Sequence, residues 1–258
     1  MPDASPADSA PGYLAMPSAP EPSGPEPSGP EPSGPPQTFP GVVVVHDAFG
    51  MTPDLRRQAD RLAVGGYIAL APDLWHGRAW PLCLRSAFRQ LTAGSGPVFD
   101  EIDAAATWLG GLDACTGKIG VIGFCLGGEF ALLSAPRPGM SAASVNYAPV
   151  PKDAGRMLRG ACPVVASYGG KDPGTRRQLP RLERALTELN VPHDVQVYPG
   201  ASHGFMNEFE GGTRVLSGVM GLSYDPVATS DAWRRIFAFF GEHLGAGPGP
   251  GTTPGAGG

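Results

Sequence analysis

What this chain has little of narrows the reading first. No stretch approaches the roughly 18 consecutive apolar residues of a membrane helix, so no membrane attachment is expected. Charged residues are sparse, 17% of the chain, with a formal net charge of -5, which leaves no basic footprint for nucleic acid. The four cysteines, Cys83, Cys115, Cys125 and Cys162, form no Cys-x-x-Cys pair. A disulfide framework is therefore not expected in a domain of this size, and free thiols in a reducing compartment are the simpler reading. Residues Met1 to Pro20 lack a basic segment followed by an apolar one, the pattern of a secretory leader, so a cytoplasmic location is expected.

What is present is enough for one large core. The chain has 258 residues, 41% of them hydrophobic, and many of its 30 prolines, with part of its 38 glycines, fall at the two ends. That distribution implies tails and loops around a single α/β domain over residues 10–245. Residues 1–9 are expected to be a flexible N-terminus and 246–258 a disordered Gly/Pro/Thr tail. Glu-Pro-Ser-Gly-Pro occurs three times from Glu21 to Pro35, polyproline-leaning sequence unable to bury apolar surface. It marks a Pro-rich loop insertion over 18–38.

Residues Ala10 to Pro17, bounded by prolines, suit a short edge strand. The run Gly41-Val42-Val43-Val44-Val45-His46 is β-branched without interruption, as in a strand covered on both faces. Thr52 and Pro53 suit the cap and first position of a helix in which Leu55, Ala59, Leu62 and Ala63 recur at helical spacing. Further strands are predicted at Tyr67 to Ala71, Lys118 to Phe124, Ala142 to Tyr147, Pro163 to Tyr168 and His193 to Tyr198. Helices are predicted at Pro81 to Leu91, Val98 to Leu109, Leu179 to Leu189 and around Trp233 to Leu244. This alternation predicts a mostly parallel, doubly wound sheet with helices on both faces and functional loops at the carboxyl ends of its strands.

One such end is distinctive. Ile119-Gly120-Val121-Ile122 runs into Gly123-Phe124-Cys125-Leu126-Gly127-Gly128 and then into Ala/Leu-rich sequence, a strand turning sharply into a helix with Cys125 at the tip. Gly123 and Gly127 would let strand and helix approach, and the helix N-terminus would favour negative charge at the sulfur. Two later carboxyl ends carry Asp172, in Gly169-Gly170-Lys171-Asp172-Pro173, and His203, in Ala201-Ser202-His203-Gly204. Separately each has a structural reading: a buried cysteine, a turn aspartate, a loop histidine. Together they stand in the chain order nucleophile, acid, histidine of the α/β-hydrolase triad. The imidazole would accept the thiol proton and the carboxylate would hold the other ring nitrogen.

With these residues in view, the chain resembles the dienelactone hydrolase family of the α/β-hydrolase fold. The matching stretches are Val42 to Gly50, Leu70-Ala71-Pro72-Asp73-Leu74, Gly123 to Gly128, Gly170 to Pro173 and His203-Gly204-Phe205. The resemblance implies hydrolysis of an ester or lactone through a thioester on Cys125, with Asp172 and His203 completing the triad. It implies a further acidic residue at Asp47, where better-known members carry Glu; the alternative for Asp47 is a cap on the following loop. Backbone N–H groups of Ala48 and Leu126 would form the oxyanion hole. Arg78 stands at one position where relatives on carboxylated dienelactones grip their substrate, and Asn207 stands where such relatives have an arginine. Phe49, Trp75, Trp80 and Phe205 are candidate walls of an apolar pocket, with core packing as the alternative.

No metal and no organic cofactor is expected: His46, Asp47, His76 and His203 are candidate ligands by residue type but match no zinc spacing. The expected partner is a small-molecule ester or lactone, the expected assembly a monomer or weak homodimer. The competing reading is a ligand-binding or thiol redox-sensing protein on the same fold, since a thiolate at a helix N-terminus is oxidisable.

Overall fold

In the computed structural model the described residues are 10–17, 37–78, 80–219 and 221–245. The predicted terminus 1–9, nearly all of the Pro-rich insertion, the tail 246–258 and the side chain of Trp80 lie outside them. Among the described residues no helix is long and apolar enough to cross a membrane.

The strands are β1 (Gly12–Ala15), β2 (Phe39–Val45), β3 (Ile68–Pro72), β4 (Cys115–Phe124), β5 (Met140–Asn146), β6 (Val164–Gly169) and β7 (His193–Tyr198). They form a seven-stranded sheet in the order β1-β3-β2-β4-β5-β6-β7. Only the edge pairing of β1 with β3 is antiparallel; the remaining neighbours run parallel. The long helices are α1 (Pro53–Val64), α2 (Trp80–Ala93), α3 (Pro97–Gly110), α4 (Leu126–Ser134), α7 (Leu179–Glu188) and α9 (Pro226–Leu244). Three elements were not anticipated: α5 (Ala154–Met157), α6 (Pro173–Arg176) and α8 (Gly211–Val219). Each is short and Gly- or Pro-rich, so none carries enough apolar periodicity to announce itself.

The period of two in the strands divides the core between two faces. Val43 and Val45, Ile68 and Leu70, Val121 and Val145 point into a layer closed by α2, α3, α4 and α7. Val42 and Val44, Ala69 and Ala71, Ile122 and Phe124 point the other way, under α1 and α9. Val42 to Val45 are completely buried, as an unbroken β-branched run in a doubly covered strand should be. The predicted cap is used, Thr52 Oγ1 accepting the Leu55 N–H at 3.2 Å; a cap not foreseen, Asp225, accepts from Val227 and Ala228 at the start of α9. The helix α9 lays Ala232, Trp233, Ile236, Phe240 and Leu244 on the sheet.

Because parallel strands share a direction, the chain leaves β2, β4, β5, β6 and β7 at one edge of the sheet, and the loops that follow them meet there. Replacing Ile236, fully buried under the sheet, by Ala should destabilise the fold by about 2–5 kcal/mol through lost burial and a residual cavity, read from urea unfolding.

Candidate active site

At the end of β4 the backbone reverses into α4 through a single residue, Cys125, at φ 53° and ψ -117°. A non-glycine residue in this left-handed region is strained, and the surroundings must over-determine it. They do so from both sides. The Cys125 N–H donates to Asn146 O at 3.0 Å, and its carbonyl accepts from Gly128 at 3.0 Å and Glu129 at 3.4 Å. The glycines are a steric requirement: a Cβ at Gly123 would stand 2.0 Å from Gly127 O, and one at Gly127 would stand 2.3 Å from His46 O. The sulfur is thereby presented at the first turn of α4, where unpaired N–H groups favour negative charge.

The two other members of the predicted triad reach it from β6 and β7. Those strand ends press together because Gly169 and Gly170 lack side chains; a Cβ on Gly169 would lie 2.3 Å from Ser202 O. Gly170 N–H donates to Tyr198 O at 2.7 Å and Lys171 N–H to Ala201 O at 2.9 Å. Across this seam Asp172 Oδ2 lies 2.7 Å from His203 Nδ1. On the far side of the ring, His203 Nε2 lies 3.1 Å from Cys125 Sγ. Sulfur, imidazole and carboxylate, separated widely in sequence, therefore form one hydrogen-bonded line.

Asp172 also does the turn work foreseen as its structural alternative, because its two oxygens divide their partners. Oδ1 accepts from Gly174 N at 3.0 Å and Thr175 N at 3.3 Å at the start of α6, while Oδ2 takes the Thr175 hydroxyl at 2.7 Å besides His203. Burial alone would raise the pKa of Asp172, but the bonds from His203 and Thr175 override it and bring it down to about 2. Burial alone would likewise lower His203, yet its bonds to Asp172 and Cys125 push it up to about 10. The two contacts thus favour a proton on the ring, the state that a general base must reach when it takes the thiol proton.

Asp47 follows β2 and is 5% exposed. Its Oδ1 accepts the Phe49 N–H at 2.8 Å, and the structure gives it no hydrogen bond to Cys125. The shorter side chain closes its own loop, the capping alternative foreseen for it. Burial raises its pKa to about 7, with the nearby Asp54 charge adding to the rise and the Phe49 bond and His203 opposing it. Ala48 sits in the loop that Asp47 closes, its carbonyl accepting from Trp75 Nε1 at 3.0 Å.

The expected substrate-binding residues separate. Phe49 is half-buried and meets Phe209 edge-on at 5.2 Å, so two loops at the site share an aromatic wall. Arg78 is exposed. Trp75 is 5% exposed, edge-on to His46, and Phe205 is completely buried against Tyr147 and Tyr198. For both, core packing is what the structure shows, because each large ring lies against an interior layer. Asn207 is 4% exposed; its Oδ1 accepts from Tyr147 Oη at 2.5 Å and its Nδ2 donates to Asp54 at 2.8 Å. Both ends of the amide are engaged within the protein, so the expectation of a substrate ligand is corrected. Among the histidines weighed as metal ligands, His46 Nδ1 faces Asp47 O and His76 meets Glu101.

Sequence reasoning missed Thr175, Phe209, Asp54 and Tyr147. Thr175 had a readable signal, the Asp-Pro-Gly-Thr pattern of a side-chain-capped turn; the others depend on contacts between distant loops.

A parallel sheet, a strained strand-to-helix turn and the order nucleophile, acid, histidine define the α/β-hydrolase fold. Within it the chain belongs to the dienelactone hydrolase family, whose match covers residues 30–244. It is 26% identical over 259 residues to a provisionally named carboxymethylenebutenolidase of Salmonella typhimurium, covering 93% of this chain and 86% of that protein. A dienelactone hydrolase structure from Klebsiella pneumoniae, also provisionally named, superposes with a TM-score of 0.67 at 25% identity, covering 82% of this chain and 90% of that one. A dienelactone hydrolase-like promiscuous phosphotriesterase from metagenomic libraries is similar at a TM-score of 0.66 and 25% identity, with the same coverage of 82% and 90%. The chain is thus a member of a hydrolase family.

Two measurements follow. Gly127→Ala, whose Cβ would stand 2.3 Å from His46 O and 2.4 Å from Val45 O, should lower unfolding free energy by roughly 2–4 kcal/mol. For Asp47, a folded-state pKa raised from 3.8 to about 7 means that stability present below pH 3.8 is lost as pH rises through 7. Asp47→Asn keeps the Phe49 acceptor and cannot ionise. Its stability relative to the parent should therefore climb between about pH 4 and 7, by roughly 2–4 kcal/mol, in urea titrations across that window.

Proposed function

We propose that this protein hydrolyses a carboxylic ester or lactone of low molecular mass through a thioester on Cys125. The observation that carries this reading is the line Asp172, His203, Cys125, with 2.7 Å and 3.1 Å separations. It is supported by the strained turn that aims the sulfur along a helix N-terminus.

In the first half-reaction His203 Nε2 takes the proton of the Cys125 thiol as the sulfur attacks the carbonyl carbon and forms the C–S bond. The carbonyl oxygen becomes an oxyanion, received by the N–H groups of Leu126 and Ala48, neither of which has a hydrogen-bond partner among the described residues. The tetrahedral carbon then expels an alkoxide, which takes the proton from His203 Nε2; from a lactone this alcohol remains tethered to the acyl group. In the second half-reaction His203 accepts a proton from water, the resulting hydroxide attacks the thioester, and the acid is released as the sulfur leaves. Asp172 keeps Nδ1–H in place throughout and stabilises the charged ring.

Asp47 acts here on the oxyanion loop rather than on the thiol, since its carboxyl closes the turn that contains Ala48. Phe49 and Phe209 form the apolar side of the acyl site. With Asn207 engaged elsewhere, no neutral amide or cation at that position is offered to a substrate carboxylate, and Arg78 remains the one predicted arginine on hand. The protein needs no metal or organic cofactor for this chemistry, and we place it in the cytoplasm as a monomer or weak homodimer.

Mixing the protein with p-nitrophenyl acetate should give a burst of nitrophenol and a transient mass increase of one acetyl group, located on the Cys125 peptide. Cys125→Ala should lose at least about a thousandfold in kcat/KM. Full turnover by that variant would end the thioester mechanism, and alkylation of Cys125 without turnover of any ester or lactone would favour the thiol-sensing reading.

A further inference from the structure

The triad line fixes His203 only in the plane of its ring, through the two nitrogens. Its face needs a separate support, and Tyr147 provides one: the rings meet edge-on, centroids 5.3 Å apart with an interplanar angle of 67°. Tyr147 is completely buried and follows β5 directly, in a left-handed conformation at φ 42°. Its N–H donates to Ser167 O at 2.7 Å. Its hydroxyl donates to Asn207 Oδ1 at 2.5 Å, and Asn207 Nδ2 donates to Asp54 Oδ2 at 2.8 Å. Asp54, 3% exposed in the first turn of α1, also accepts the Glu208 N–H at 3.0 Å. Asn207 N–H closes back onto Gly204 O at 2.9 Å. The loop that carries His203 is therefore fastened to α1 by Asp54 at Asn207 and Glu208, and further by Gln58 at Met206 O and Arg57 at Glu208 O.

We propose that Tyr147, Asn207 and Asp54 are positioning residues, a buried hydrogen-bonded chain anchored on α1 that supports the face of the His203 ring and holds its loop in register with Cys125. The proposal rests on the hydrolytic reading for its kinetic consequence, but its geometry concerns Cys125 and His203 whatever the substrate. A buried carboxylate left without donors would be strongly unfavourable, so its retention here with several is informative. The groups facing Asp54 are Arg57 and Gln58 on its own helix, Asn207 and the Glu208 N–H from the loop after β7, and Asp47 and Tyr147 across the site. Arg57 in turn meets the exposed Glu210. Burial first, and Asp54 after it, raise the pKa of the neighbouring Asp47 to about 7.

The test uses the full-length protein and the variants Tyr147→Phe, Asp54→Asn and the exchange Asp54→Asn with Asn207→Asp. The exchange preserves an acceptor for the Tyr147 hydroxyl, a donor between positions 54 and 207 and an acceptor for Glu208 N–H. Three readouts are taken: kcat and KM on p-nitrophenyl acetate, the pH profile of Cys125 alkylation by iodoacetamide read on its own peptide, and the folded fraction from circular dichroism. Each single variant should lower kcat per folded molecule by about tenfold with KM changed by less than about twofold. Each should also move the Cys125 alkylation profile to higher pH. The exchange should restore kcat to within about threefold of the parent, non-additively. Single variants with the parent's kcat per folded molecule and the parent's alkylation profile would overturn the proposal, as would an exchange no better than the product of its singles. If the parent turns over no ester, the hydrolytic reading fails, while the alkylation profiles still decide whether the chain positions the ring.

Discussion

Everything at this site depends on one backbone reversal. For a sulfur to stand clear of the sheet yet lie against a helix N-terminus, the chain must pass from strand to helix through a single residue, and that residue must be left-handed. Helix α4 then comes so close to β4 and to the end of β2 that neither Gly123 nor Gly127 can carry a side chain. The strain at Cys125 is held by backbone bonds from β5 and from the helix that follows, and by the weight of two apolar layers that keep the sheet from relaxing. A cysteine in a relaxed turn would have no such presentation.

The second organising feature is how charge is arranged around the sulfur. Three carboxyl groups approach the same region, and each is handled differently. Asp172 is made strongly acidic by its donors and holds the His203 ring. Asp54 is buried among several donors, with Asn207 and the Glu208 N–H closest. Asp47 is buried with a single backbone N–H donor, and burial raises its pKa to about 7. The general rule is that a buried carboxylate needs donors or a proton. Here the two solutions sit side by side, many donors at Asp172 and Asp54 and a raised pKa at Asp47.

Much of the fold was legible in the chain itself. The four consecutive valines after Gly41 could only be a strand covered on both faces, and the Thr52-Pro53 start and the aromatic stripe from Trp233 to Leu244 were read as the helices they form. The elbow was legible because its requirement is local: small residues two before and two after the nucleophile. The asparagine at position 207 was misread for the opposite reason. Its position relative to His203 suggested a substrate contact, but its partners, Tyr147 and Asp54, come from other strands and helices and could not be counted in sequence. Phe205 and Trp75 were ambiguous for the same cause, since aromatic composition does not say which side of a sheet a ring will face.

The sequence by itself determined the alternation of strands and helices, the elbow and the order of the three reactive residues, because periodicity, steric allowance and chain order are properties of neighbours along the chain. Tertiary structure alone decided that His203 lies between Cys125 and Asp172, that Asp47 closes its own loop instead of reaching the thiol, and that Asn207 faces inward. Those outcomes depend on distances between loops brought together by a parallel sheet. A difference of one methylene, or one turn of helix, changes which group is within hydrogen-bond reach.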